Sequence, residues 1–473
     1  MLKKWLQRLG KVLLILLLLI TGAWWFENWR GARAWEAAQE RAKEAGFSLD
    51  LADYQPPPVP DEENLLKNPD FLLEWNGEIE PKLNRWSSAN ISGVKKSARA
   101  RSAPQQGWAT DYRKFFEEEL SLDQALERID KITGDLQDRL DRLSTIILSH
   151  PVQDLGSYSV PTQETPFPTN KAPDILRFAS SLRDRAVLAL HLKDPSTAIK
   201  DIECLQWFKE SFGRGAMIQG LVGNALQLSI DQIVWEGIYL HGWDKNHLVE
   251  LDSLLRSRDP LQDLETTAKF ETIYGIHSIN HLDEMVASAR DQWNGMWNLS
   301  GELGLKDRIL VYFKTSGPNG WKDQRKAILV EGTLRFLAEY EDGQLSHRGP
   351  RKIDPEETNL DPFEYARQNQ EYLRVFAGTL MEGQTRTRIA RIAVAAEQHF
   401  LDQKSYPAGI DDLDLDFELT DTTDAKKRPL KYEIGPKGRP VISSPHNPRI
   451  CWLFSPEEEG ERSLKKKRGK SNK

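Results

Sequence analysis

His277-Ser-Ile-Asn-His281 sets two imidazoles four residues apart, and Glu284 follows three residues later. On a helix these spacings share one face, so His277, His281 and Glu284 are candidate ligands for a transition metal. A zinc hydrolase of this spacing carries its general-base glutamate directly after the first histidine, and that position here is Ser278. Phe270 and Ile273 project from the same side, which is how a helix face looks when two hydrogen-bonded histidines simply border a core. No residue is assigned a catalytic or cofactor-binding role, and no cofactor is expected.

Other strings that carry chemistry elsewhere lack their partners. Ser92-Gly-Val-Lys95 and Ser463-Leu-Lys-Lys466 match the Ser-x-x-Lys string of penicillin-binding enzymes, but no Lys-Thr-Gly accompanies them. Gly213-Arg-Gly215 has neither the spacing nor the preceding strand of a dinucleotide site, and the chain has no phosphate-binding P-loop. Trp293 and Trp297 flank Met296 at helical spacing. They could line a groove for a sugar or peptide, or pack a helix seam. The net charge is −7, and the first 26 residues contribute four cations and no acid, which leaves −11 on the remainder. That field repels phosphate backbones, so nucleic acid is not an expected partner.

The element that positions everything else is at the N-terminus. Lys3, Lys4, Arg8 and Lys11 precede fifteen uncharged residues, Val12 to Phe26. A helix rises about 1.5 Å per residue, so this run reaches only about 22 Å of a hydrocarbon core about 30 Å thick. Leu9 and Gly10 extend the reach while Lys11 turns its amine to the headgroups. The expected anchor residues are Val12, Leu13, Leu14, Leu16, Leu19, Trp24, Trp25 and Phe26, with the bilayer as partner through 9–26. Cations ahead of the run predict a cytoplasmic N-terminus and a non-cytoplasmic bulk. A cleaved signal peptide ending at Thr21-Gly-Ala23 is the alternative.

Past the anchor, Trp29, Ala32, Trp35, Ala38 and Ala42 continue a helical pattern that reads as a stalk ending at Gly46. The expected fold class is mainly α: an anchor helix, a helical-hairpin bundle or array, and a small α+β C-terminal module with a β-hairpin. The expected segments are anchor and stalk 1–46; Pro-rich spacer, short capped helix from Asp61 and basic loop 47–114; all-α domain 115–360; long helix and α+β module 361–455; and a disordered charged tail 456–473. The basic loop reads either as solvated chain or as a contact to anionic lipid or the protein's own acidic surface. Ser121 with Gln124 reads as a capping box ahead of a stripe at Leu122, Leu126, Ile129, Ile132 or Thr133, Leu136, Leu140, Leu143 and Ile147. Further helices are expected over about 215–240, 244–257, 260–290, 321–341 and 361–403, with a hairpin of strands around Gly435–Gly438. Cys204 and Cys451 could form one bridge or sit as small buried hydrophobes.

Two local resemblances attach to these residues. Residues 174–211, with Ala186 and Ala198 either side of Lys193-Asp-Pro195, resemble one tetratricopeptide-type hairpin. Residues 388–444, with Tyr406-Pro407 and Asp411-Asp-Leu413 after a long helix, resemble the globular end of type II secretion pseudopilins, which implies a fold and no function. The layout as a whole resembles a group of bacterial single-pass membrane-anchored proteins, and this implies a bacterial inner-membrane location with a periplasmic bulk. The leading functional expectation is an interaction or scaffold protein whose helical domain binds protein partners. The alternatives are an envelope hydrolase, metal-dependent through His277 and His281, and a structural component of a secretion or pilus-like assembly.

Overall fold

Apolar residues recur every three or four positions through most of the chain, and local polar chemistry closes the helices they form. The computed structural model describes residues 2–54, 59–76, 110–116, 118–153, 172–212, 215–256, 260–280, 318–341, 364–424, 426–435, 438–447 and 450–452. Among these are ten α-helices and a three-stranded sheet. In chain order the helices are α1 (Leu2–Glu44), α2 (Pro69–Asn76), α3 (Leu122–Leu148), α4 (Ala172–His191), α5 (Pro195–Phe212), α6 (Met217–Leu240), α7 (Lys245–Leu255), α8 (Leu264–Asn280), α9 (Asn319–Glu341) and α10 (Glu364–Gln403). The strands are β1 (Lys431–Ile434), β2 (Pro440–Ser443) and β3 (Cys451–Trp452). The mainly α class with a small C-terminal sheet is therefore as expected.

The chain forms two compact units, both discontinuous: residues 1–55 with 265–375, and residues 56–264 with 376–473. This differs from the chain-order segments expected above, because helices far apart in sequence bury one another's apolar faces. In the first unit, Ala38, Ala42 and Phe47 pack with Ile273, Ile276 and Ile279 of α8 and with Ala327, Leu329 and Val330 of α9. The segment expected to be a free stalk is thus one wall of a core. Gly46, at φ +64°, ends α1. Its N–H bonds to Lys43 O (3.1 Å) and Phe47 N–H to Ala42 O (2.8 Å), a Schellman closure that turns Phe47 inward.

The pairings fix helix directions. Gly31 lies against Gly320, Lys326 sits over the Trp35 ring at 4.8 Å, and Arg41 pairs with Glu331 at 2.7 Å. Numbers rise together, so α1 and α9 are parallel. The Thr272 hydroxyl meets that of Thr333 at 2.5 Å, and Gly275 faces Leu329, so α8 runs antiparallel to α9.

In the second unit, α4 and α5 form the expected hairpin. Lys193 takes a left-handed φ of 64°, and Asp194 accepts from Thr197 N–H at 3.2 Å as N-cap. Helix α6 is apolar on nearly every side and is accordingly buried, with Val222, Leu226, Ile230, Ile233 and Val234 in the core. The Ser121–Gln124 capping box forms, with reciprocal bonds of 3.0 and 3.2 Å. On α3 the buried side includes Leu126, Ile129, Thr133, Leu140, Leu143 and Ile147, whereas Leu122 and Ile132 are exposed. The helix expected from Asp61 instead starts later. Asn64 caps a short 3-10 turn at Leu65–Lys67, and Asn68 accepts from Phe71 N–H at 2.9 Å to cap α2, which opens on Pro69. The sheet order is β1-β2-β3, antiparallel, with Tyr432 opposite Ile442 and Ile442 opposite Trp452. Both cysteines are free, and Cys204 is buried. Residues 55–58 of the Pro-rich spacer, 77–109 of the basic loop, Trp293, Met296, Trp297 and the tail from 456 lie outside the described residues.

Candidate membrane anchor and buried polar groups

Helix α1 is long and apolar enough to cross a membrane. Val12, Leu13, Leu14, Leu16, Leu19, Trp24, Trp25 and Phe26 are all exposed, Trp25 at 69%. At the next turn one face of the helix becomes covered while the other stays exposed. Glu27 and Asn28 are half-buried and Gly31 is buried, because α9 begins there. Glu27 Oε2 accepts from Arg30 (2.7 Å), Gln324 Nε2 (3.1 Å) and Trp321 Nε1 (3.2 Å). Asn28 Oδ1 accepts from Gly320 N–H at 2.9 Å. A methyl on Gly31 would overlap the Gly320 carbonyl, and one on Gly320 would overlap the Glu27 carbonyl. The two backbones therefore touch, and only glycine permits this spacing.

Of the candidate metal ligands, His277 lies half-buried on α8, while His281 and Glu284 fall outside the described residues. Among the described residues, no group of three or more His, Cys, Asp and Glu side chains is placed to hold a metal ion.

The second unit holds buried ionisable groups that belong to no sequence motif. Arg185 is buried on α4. Its Nε donates to Asp201 Oδ2 at 2.9 Å and its Nη1 to Gln137 O at 2.9 Å, and Nη2 reaches Asp201 Oδ1. Asp201 is wholly buried, and burial outweighs the nearby guanidinium, lifting its carboxyl to about 6. The adjacent Cys204 thiol is pushed up by burial and then by Asp201, which makes it a poor nucleophile. A sequence signal existed: Asp201 falls among Ala198, Ile202 and Leu205, and Arg185 follows Leu182 by three, so both interrupt apolar stripes.

Two histidines are held by glutamates. His191 Nε2 bonds Glu236 Oε1 at 2.9 Å, and that oxygen also accepts from Thr110 N–H at 2.8 Å. The Tyr112 ring stands edge-on to His191, centroids 5.2 Å apart. His241, left-handed at φ 51°, closes α6. Its Nδ1 lies 2.7 Å from Glu397 Oε1 and its Nε2 3.1 Å from Arg439 Nη2. Arginine can only donate, so Nε2 accepts and Nδ1 carries the proton given to Glu397. Tyr406 donates to the other oxygen of Glu397 at 2.6 Å. Burial, then this bond, pushes the phenol upward. A carboxylate-oriented imidazole can act as a general base only through a nitrogen open to a reactant. In His241 that nitrogen faces Arg439, so the group ties α6, α10 and the β1–β2 hairpin together.

Asp421 plays a similar part in the C-terminal module. It accepts from the Thr423 N–H (2.9 Å) and hydroxyl (2.6 Å), the Thr385 hydroxyl (3.2 Å), the Ser444 hydroxyl and His446 N–H (3.4 Å). Its lone pairs are occupied by donors, which makes it the knot of the loop. No family model, curated protein or solved structure matches the chain.

Proposed function

We propose that this chain is a single-pass, membrane-anchored interaction protein of a bacterial envelope. In this reading the N-terminus is cytoplasmic, the bulk is periplasmic and the helical units bind protein partners. The observation that carries it is the junction at Phe26 and Glu27. An exposed apolar run passes without a break in the helix into turns whose one face is buried in a core. Exposing that run to water would be costly at roughly 25 cal/mol per Å² of apolar surface, and a bilayer removes the cost. Lys3, Lys4, Arg8 and Lys11 ahead of the run support the orientation.

The test has two parts. Membranes from expressing cells are washed in alkaline carbonate, and a tag placed after Lys473 is challenged with protease in spheroplasts. Retention in the pellet with loss of the tag is expected. Release into the wash, or a mature N-terminus at Trp24, would end the anchor reading. Crosslinking in native membranes followed by mass spectrometry then identifies partners, and a chain that captures none reproducibly is not an interaction protein.

A further inference from the structure

We infer that the unit containing α1, α8 and α9 stands directly on the bilayer, with the first turn of α9 in the headgroup layer beside Trp29 and Arg30. This rests on the anchor reading above and adds a depth and a surface to it.

Three observations converge. The last uncharged residue of the anchor is Phe26, and the next, Glu27, is a carboxylate serving three donors, two of them from α9. Such a group belongs outside hydrocarbon, so the edge of the apolar core falls at Phe26. Second, Gly320 bonds Asn28, only two residues, about 3 Å, beyond that edge. The headgroup layer is roughly 5–8 Å deep on each side, so α9 starts within it. Third, α1 and α9 run in parallel from this point, as the Lys326–Trp35 and Arg41–Glu331 contacts show. This first unit therefore rises from the membrane surface without a spacer.

The surface chemistry fits this occupant. Trp25 and Trp29 are exposed, 69% and 48%, and Trp321 joins them at the same level through its bond to Glu27. Arg30 and Arg33 are exposed in the same turns. Indoles beside guanidinium groups are the side chains that settle among phospholipid headgroups. Continuity with the apolar run selects lipid over a protein as the cover, since the same helix face passes from one to the other unbroken.

The experiment uses the full chain with Cys204→Ala and Cys451→Ser, purified into vesicles of phosphatidylcholine and phosphatidylglycerol. A single cysteine is introduced at Ala23, at Asn319 or at Arg335 and labelled with a small fluorophore. Quenching is read with nitroxide on the headgroup and, separately, deep on the acyl chain. Arg335 lies sixteen residues past Asn319, about 24 Å further from the bilayer. The Asn319→Cys label is expected to be quenched by headgroup nitroxide about threefold more than the Arg335→Cys label. Equal, weak quenching at both, with the Ala23→Cys label quenched by the acyl nitroxide, overturns the inference and leaves the anchor standing. An unquenched Ala23→Cys label overturns the anchor, and the inference with it.

Discussion

At Asp231 a carboxylate sits inside α6, 3% exposed, with one oxygen bonded to Gln227 Nε2 at 2.8 Å and the other without a partner. Burial lifts it to about 6 from an ordinary 3.8. The folded chain thus holds a proton that the unfolded chain releases between about pH 4 and 6, so stability falls as pH rises through that window. Asp231→Asn removes the charge. It is expected to stabilise by about 2–3 kcal/mol near pH 7.5 and only about 1 kcal/mol near pH 4.5, read by urea unfolding. An equal gain at both would mean that the charge is not the cost. Arg185 and Asp201 pose the opposite case, a buried pair whose members serve each other. Arg185→Met alone is expected to cost about 3–5 kcal/mol by leaving Asp201 unpaired, and Arg185→Met with Asp201→Leu to recover most of it. Thermal melts of the single and double variants decide between pairing and packing.

Among the elements, the helix ends follow from sequence-local chemistry. Ser121, Asp194 and Asp244 each bond an N–H within three residues, so their caps need nothing distant. What joins helix to helix is different. Asn28 and Gly320 are 292 residues apart, and nothing near Gly31 announces that another backbone will lie against it. Gly31→Leu is expected to cost about 1–3 kcal/mol by forcing α1 and α9 apart. Ala32→Leu, at an exposed position one residue on, should change stability by less than about 0.5 kcal/mol. Differential scanning calorimetry in detergent distinguishes them, and equal effects would deny the close approach. His241 and Glu397, 156 residues apart, make the same point. Neither residue carries a motif, and only the packing of α6 on α10 brings them together.

For the whole molecule, the consequence of a discontinuous first unit is that α1 serves two environments. Its apolar run, Val12 to Phe26, is exposed, and one face of its later turns, with Ala38 and Ala42, is core. A chain beginning at Glu27 keeps Ala38, Ala42 and Phe47 and is expected to remain soluble and folded. A chain beginning at Phe47 loses the α1 wall and should aggregate or become protease-sensitive within residues 265–375. Limited proteolysis with size-exclusion chromatography tests both. If the shorter chain proved as resistant as the longer, α1 would be dispensable to that core.

The sequence by itself determined the apolar run, most helix positions, many of their caps and the C-terminal hairpin, because each depends on residues within a turn or two of one another. Only the tertiary structure decided that the stalk is a core wall, that two glycines join α1 to α9, and that Asp201, Glu236 and Glu397 are buried with partners. Burial and partnership are set by what the rest of the chain brings to a position, and periodicity along one helix does not encode which distant face will cover it.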